Sequence, residues 1–299
     1  GINGEWDCSI MDTTLDALIY FSDTQLAVPK VLKWCCQNNI QMYPYIGVIE
    51  SHSTNKWKKY IIDVLFKRNV AVYKKCTCFV KTPTVAEQLG ALGITKTVVT
   101  PVGLDISLLH ADYEKFSAEG IKEKYGYSVA DKVLLFIGRF TEEKQPIRMI
   151  EILSDIRKKD QAYKLLMVGT GELKEDVEAE TKHLDLADSV QMIERIPNNE
   201  IWELYRFAAA FINLNQQEIF GMAILEAMYY GCKVVAWKAP GPNFIITNNV
   251  TGYLANSNES VIEAIEAEHN VSEAAHQCIL QRFTWNASAN RMRKVIEGN

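Results

Sequence analysis

The sequence predicts an α/β protein made of two doubly wound domains, each built around a parallel sheet. Three observations carry this. Short apolar runs of strand length alternate with longer amphipathic stretches along most of the chain, which is the pattern of parallel strands joined by crossover helices. The alternation breaks once, across a charged and loop-rich segment at 105–131, and then resumes. The length of 299 residues suits two domains, and a chain of that size buries roughly three quarters of its unfolded surface without covalent staples.

In the first block the strand candidates are 17–21, 40–46, 77–80 and 97–100; in the second they are 133–137, 164–168, 190–193, 210–214 and 233–236. Helical patterns fill the intervals, among them 222–230, which ends at Gly231. The ligand of such a domain belongs in the crevice at the strand C-terminal ends, where the order of strands reverses.

Composition excludes several classes of function. With 32 Lys+Arg against 37 Asp+Glu the formal charge is -5, so nucleic acid is not the expected partner, since phosphate-backbone binding rests on excess cations. The seven cysteines form no pair of zinc-spaced clusters, and reduced, mostly buried thiols in a cytoplasmic protein are expected. No apolar run approaches the roughly 20 residues that span a bilayer. The first residues, Gly1-Ile-Asn-Gly-Glu5, have neither the charged nor the apolar part of a signal peptide.

Charge is unevenly spread. Residues 56–75 hold seven basic side chains against the single acid Asp63, together with Trp57, Tyr60, Ile61, Val64, Leu65 and Phe66 at helical spacing. Such a segment is either a core-facing helix with a solvated basic face or a helix that lies on an anionic membrane.

The sharpest candidate site is Glu218-Ile-Phe-Gly-Met-Ala-Ile-Leu-Glu226, directly after a strand and running into a helix. N–H groups at such a helix start suit phosphate or sugar hydroxyls, and a carboxylate two turns deeper can accept both hydroxyls of a ribose. Gly138, Arg139 and Lys144 follow the strand at 133–137, so a planar fork and a mobile point charge reach the same end of the sheet, a combination suited to a diphosphate. Gly169-Thr-Gly171 opens like a dinucleotide fingerprint, but Lys174 stands where the third glycine belongs, which weighs against a nicotinamide or flavin cofactor. His52 lies just past a strand of the first block, and the other histidines form no ligand set. Nothing in the sequence points to a metal or a resident cofactor.

Taken together these residues resemble the retaining glycosyltransferases of family 4, which have the GT-B fold. The likeness runs from about residue 40 to residue 285. Its most specific element is Glu218 to Glu226, similar to the family's E-x7-E signature with its E-x-F-G opening; Gly138-Arg139 with Lys144, Val168-Gly-Thr-Gly171, Ile196-Pro197 with Leu204-Tyr205, Thr100-Pro-Val-Gly-Leu-Asp105 and Gly252-Tyr-Leu254 support it. The resemblance implies two Rossmann-like domains facing a cleft: an acceptor-side domain at 1–108, a nucleotide-sugar domain at 109–284, and a final segment at 285–299 returning to the first. It implies that Arg139 and Lys144 hold the donor diphosphate and that Glu226 binds the ribose. Glu218 with the backbone of Phe220, Gly221 and Met222 would take the transferred sugar, Gly138, Gly169, Gly171 and Ile196 would line the donor site, and His52 would contact the reaction centre. The chain departs from the pattern at Val102, where Asn is usual, and at Phe244, where Glu is common. The first block also lacks the family's opening strands and Gly-rich loop, and reads as truncated by two or three strands.

The function implied is transfer of a sugar from a nucleoside-diphosphate sugar, UDP before GDP, to a glycan or lipid-linked acceptor. No resident cofactor would take part, and the basic helix would touch the inner face of the membrane. A transferase-like partner subunit without catalysis and a GT-B sugar-nucleotide epimerase are the competing readings.

Overall fold

The structure, a computed structural model, describes residue 7 and residues 11–21, 25–47 and 55–298. Every predicted apolar run is a strand. In the first unit, β1 (Ala17–Phe21), β2 (Gln41–Ile46), β3 (Cys78–Val80) and β4 (Thr97–Val99) alternate with α1 (Val28–Gln37), α2 (Lys56–Tyr73) and α3 (Pro83–Ala91). The four strands pair in parallel in the order β1-β2-β3-β4, so the described strands contain no reversal. Strand alternation sorts the two faces. Leu18, Met42, Ile46, Cys78 and Val80 pack with α1, α2 and α3, whereas Ile19, Tyr43, Tyr45, Phe79 and Val98 pack with Met292, Val295 and Ile296 near the chain's end.

The second unit carries α4 (Ala118–Lys124), β5 (Lys132–Ile137), α5 (Pro146–Arg157), β6 (Tyr163–Val168), α6 (Lys174–His183), β7 (Val190–Ile193), α7 (Ile201–Phe207) and β8 (Ala210–Asn213). It continues through α8 (Met222–Tyr229), β9 (Val234–Trp237), α9 (Pro240–Ile245), β10 (Tyr253–Ala255), α10 (Asn258–Glu266) and α11 (Ser272–Arg282), and α12 (Trp285–Ile296) follows, its residues from Ser288 on belonging to the first unit. The six strands are parallel in the order β10-β9-β8-β5-β6-β7. The order therefore reverses between β5 and β8, which is the topological switch point of a doubly wound sheet. One face is packed by Leu134, Phe136, Leu165, Met167 and Ile212 against side chains of α5 and α10. Helix starts use ordinary devices: Thr82 and Ser117 accept N–H groups of α3 and α4, and Ser257 with Ser260 forms a reciprocal box on α10.

The units are Gly1–Val102 with Ser288–Asn299, and Gly103–Ala287. The boundary precedes residue 108 because Gly103 and Leu104 already lie on the second unit's backbone. A Cβ on Gly103 would come 2.1 Å from the carbonyl carbon of Thr284, and Leu104 exchanges hydrogen bonds with Phe283 and Trp285. Val102 packs among the apolar residues of the first sheet.

In α2 the apolar residues do not share one face. Phe66, Val72 and Tyr73 enter the core, while Trp57 and Tyr60 are 78% and 64% exposed and Ile61 and Val64 are exposed beside them. No described helix is long and apolar enough to cross a membrane. The six cysteines within the described residues are unpaired, and burial pushes the thiols of Cys78 and Cys232 up to about 12.

Candidate functional site

The loops that leave β5, β6 and β8 carry most of the predicted residues, and backbone contact locks the first two together. The Gly138 N–H donates to Val168 O, Phe140 N–H to Thr170 O, and Leu173 N–H to Phe140 O, each at 3.0 Å. A Cβ on Gly169 would lie 1.9 Å from Gly138 O, and one on Gly171 would lie 2.4 Å from Phe140 O. The Gly-x-Gly pair is thus required for close approach of two loops, and α6 starts only at Lys174, whose ammonium pairs with Glu194.

The loop after β8 is seated in the same way. A Cβ on Gly241 would meet Phe220 Cα and N at 2.5 Å, and the Gly241 N–H donates to Glu218 O at 2.8 Å. The Phe220 ring is buried edge-on to Phe283, which Phe244 also contacts. The departure at Phe244 therefore serves packing, and Arg282 lies over both rings. Gly221 stands ahead of α8 at φ +99°, a left-handed conformation that favours glycine. No side chain caps the helix; the N–H groups of Ile224 and Leu225 donate to Gly221 O, and those of the exposed Met222 and of Ala223, in the first turn, lack the intrahelical acceptors that later turns have.

Lys144, beyond β5, and Glu218, beyond β8, meet across the switch point. Lys144 Nζ donates to Glu218 Oε2 at 2.8 Å, with the side chains 25% and 14% exposed. The same oxygen accepts from the amides of Asn215 at 3.3 Å and Asn213 at 3.5 Å. Asn215, itself 1% exposed, also donates to Glu143 Oε1 at 3.0 Å. Burial alone would raise the Glu218 carboxyl; the Lys144 hydrogen bond and charge, then the two amides, outweigh it and hold the group below its ordinary value.

Glu226 is set differently. Burial pushes its carboxyl up, and the hydrogen bond that Tyr205 donates to Oε2 at 3.1 Å pulls in the opposite direction. Tyr205, Asn213, Asn215 and Glu143 were assigned no role from sequence. Polar residues directly after an apolar strand, Asn213-Leu-Asn215-Gln-Gln-Glu218, were the available signal for the two asparagines. Arg139 is exposed and makes no ion pair among the described residues. Ile196 is buried past the end of β7. No hydrogen bond or ion pair joins Arg139 or Glu226 to the Lys144–Glu218 pair. His52 lies outside the described residues, among which no three His, Cys, Asp or Glu side chains are grouped to hold a metal ion.

Comparison with known proteins agrees with this architecture. The chain is 25% identical over 211 residues to alpha-monoglucosyldiacylglycerol synthase of Streptococcus pneumoniae, covering 67% of this chain and 48% of that protein. It is 25% identical over 203 residues to lipopolysaccharide 1,2-N-acetylglucosaminetransferase of Salmonella typhimurium, covering 62% and 53%. The chain thus spans about half the length of the curated relatives it matches. Among solved structures, a glycosyltransferase of Rickettsia africae superposes with a TM-score of 0.73 at 20% identity, covering 95% of this chain and 76% of that one. HepE of Anabaena in complex with UDP superposes at 0.75 and 16% identity, covering 94% and 79%. These neighbours are GT-B glycosyltransferases, and the fold is theirs. The pattern of the glycosyl transferases group 1 matches residues 117–282, more than half of the chain and nearly all of the unit that carries the site, and the chain belongs to that family.

Proposed function

We propose that the protein acts as a retaining, family 4 glycosyltransferase. It would move a sugar from a nucleoside-diphosphate sugar, a UDP-sugar rather than GDP-mannose, to a glycan or lipid-linked acceptor in cell-surface polysaccharide or glycolipid synthesis. The observation that carries this is the Lys144–Glu218 pair at the switch point beside the uncapped start of α8, where cation, carboxylate and free N–H groups suit a diphosphate joined to a sugar. Glu218 and Glu226 stand as the two carboxylates of the E-x7-E signature. In this reading Arg139 and Lys144 stabilise the charge that grows on the leaving diphosphate, Glu226 accepts from the ribose, and Glu218 with the backbone of Phe220, Gly221 and Met222 holds the sugar. The acceptor oxygen attacks the anomeric carbon on the face that the diphosphate leaves, and the departing phosphate oxygen takes the acceptor's proton. Side chains and N–H groups would meet that charge without a resident metal or cofactor. His52 would approach from the acceptor-side domain. The test is a thermal-shift titration of the chain with UDP, GDP, ADP, NAD and their sugar conjugates. A ligand at 100 times its Kd stabilises by about 2.7 kcal/mol; a selective rise lost in Glu226→Ala is expected, and no rise with any nucleotide overturns the donor site.

The acceptor side of the same proposal includes peripheral contact of residues 56–75 with an anionic membrane at the cytoplasmic face. It is supported by the outward stripe Trp57, Tyr60, Ile61 and Val64 in a helix that also bears Lys56, Lys59, Lys67 and Arg68. Aromatic and aliphatic groups in a cationic setting match the apolar and charged layers of a bilayer surface. Flotation with anionic vesicles, reduced by Trp57→Ser with Tyr60→Ser and absent with neutral vesicles, is the expected result. Equal failure to bind either kind removes this contact without touching the donor site.

A further inference from the structure

The geometry points to Tyr205 as a positioning residue that makes the nucleotide site selective for a ribose, by holding one oxygen of Glu226 so that the other faces a ligand hydroxyl. This deepens the donor reading and rests on it. Tyr205 stands on α7 with its ring fully buried, edge-on to Phe211 of β8 at 5.7 Å and stacked with Tyr230 at 6.1 Å. A phenylalanine would fill that space equally well. Among the described residues the hydroxyl has one partner, Glu226 Oε2, whereas the hydroxyl of neighbouring Tyr230 is occupied by the His110 backbone N–H. Burial first, and then the charge of Glu226, push the Tyr205 phenol well above its ordinary value, so it remains a donor.

The two carboxylates of the site are thereby prepared for different partners. Glu218 is neutralised by Lys144 and further satisfied by two amides. Glu226 receives one neutral donor, has no Lys or Arg against it among the described residues, and its Oε1 takes no hydrogen bond from them. A half-buried carboxylate has room for about four hydrogen bonds, and one made to a charged group is worth more than a neutral one. Neutral hydroxyl donors in fixed geometry satisfy what remains, and the cis-diol of a ribose supplies two.

The experiment is calorimetric titration of the full chain with UDP and 2′-deoxy-UDP, in wild type, Tyr205→Phe, Glu226→Gln and the double variant. Wild type is expected to favour UDP by about tenfold, the scale of one hydrogen bond to a charged group. Tyr205→Phe should cut that preference to about twofold, Glu226→Gln should abolish it, and the double variant should match Glu226→Gln because the tyrosine acts only through the carboxylate. Full ribose preference in Tyr205→Phe, with only a lower melting temperature, would overturn the inference and leave Tyr205 as core packing. Binding of neither nucleotide by wild type would instead overturn the donor reading and this inference with it.

Discussion

Removing the Lys144 ammonium tests the site where structure and chemistry meet. In Lys144→Ala, Glu218 keeps only the amides of Asn213 and Asn215, at 3.5 and 3.3 Å, in a place that already disfavours its charge. Exposed ion pairs are worth about 0–1 kcal/mol, and stripping one partner from a fully buried pair costs about 3–5 kcal/mol. With the side chains 25% and 14% exposed, the loss at pH 7 should fall between these, at about 2 kcal/mol. Its pH dependence has a definite sign. The folded carboxyl titrates below its unfolded value, so its contribution is fully present above the unfolded pKa of about 4.3 and disappears as pH falls through the folded value. The difference between wild type and Lys144→Ala should therefore shrink in acid. Urea unfolding of wild type, Lys144→Ala, Glu218→Gln and the double variant, at pH 7 and in acid, measures both quantities. A coupling of at least about 1 kcal/mol between the two sites is expected for groups in direct contact. Additive losses that do not change with pH would show that solvent screens the pair, and the argument from partial burial would be wrong.

Three further outcomes follow from the same geometry. Arg139→Ala should leave stability within about 0.5 kcal/mol, because the side chain is exposed and makes no ion pair among the described residues, yet lower turnover at least about a hundredfold; near-normal sugar transfer would remove Arg139 from the diphosphate. Gly171→Ala must open the hydrogen bonds that Phe140 makes to Thr170 and Leu173, costing about 2 kcal/mol in chemical denaturation, and an unaltered midpoint would mean that the two loops do not bear on each other. Gly241→Ala drives a methyl group into the Phe220 backbone, so nucleotide affinity should fall together with stability; loss of stability alone would separate this contact from the site.

Strands were legible because each is a run of apolar residues long enough to stand out. β10 was not, although Tyr253–Ala255 is no shorter than β3 or β4: those two are dense in valine, threonine and phenylalanine, whereas Tyr-Leu-Ala is set between Gly252 and Asn256 and ends on a poor strand former. The faces of α2 were misjudged for a different reason. Trp57 and Phe66 are nine residues apart, about 900° at 100° per residue, which places them half a turn out of phase. Counting apolar residues in the window merges two stripes that the fold sends in opposite directions. Lys144 and Glu218 could each be picked out by residue type beside a strand end, but 74 positions separate them. Their pairing is a property of strand order, β5 beside β8, which local sequence does not encode.

The same distinction explains why Glu226 needed the structure more than Glu218 did. A carboxylate's chemistry is decided by what surrounds it, and these two, eight positions apart, are surrounded from different directions. Glu218 lies in the loop and meets groups delivered by β5 and β8, including a lysine, so burial is overcome and the charge is held. Glu226 lies within α8, whose turn carries it to α7, and there, among the described residues, the donor is the Tyr205 phenol. The seven-residue spacing therefore separates a carboxylate that the protein has already neutralised from one with an unfilled oxygen. The loop that sets this division is held by contact between the Phe220 backbone and Gly241, which leaves little freedom for Glu218 and Glu226 to exchange environments. Any ligand that engages both must offer a group able to compete for Lys144 at one end and hydroxyl donors at the other, and a nucleoside diphosphate carries both on one molecule.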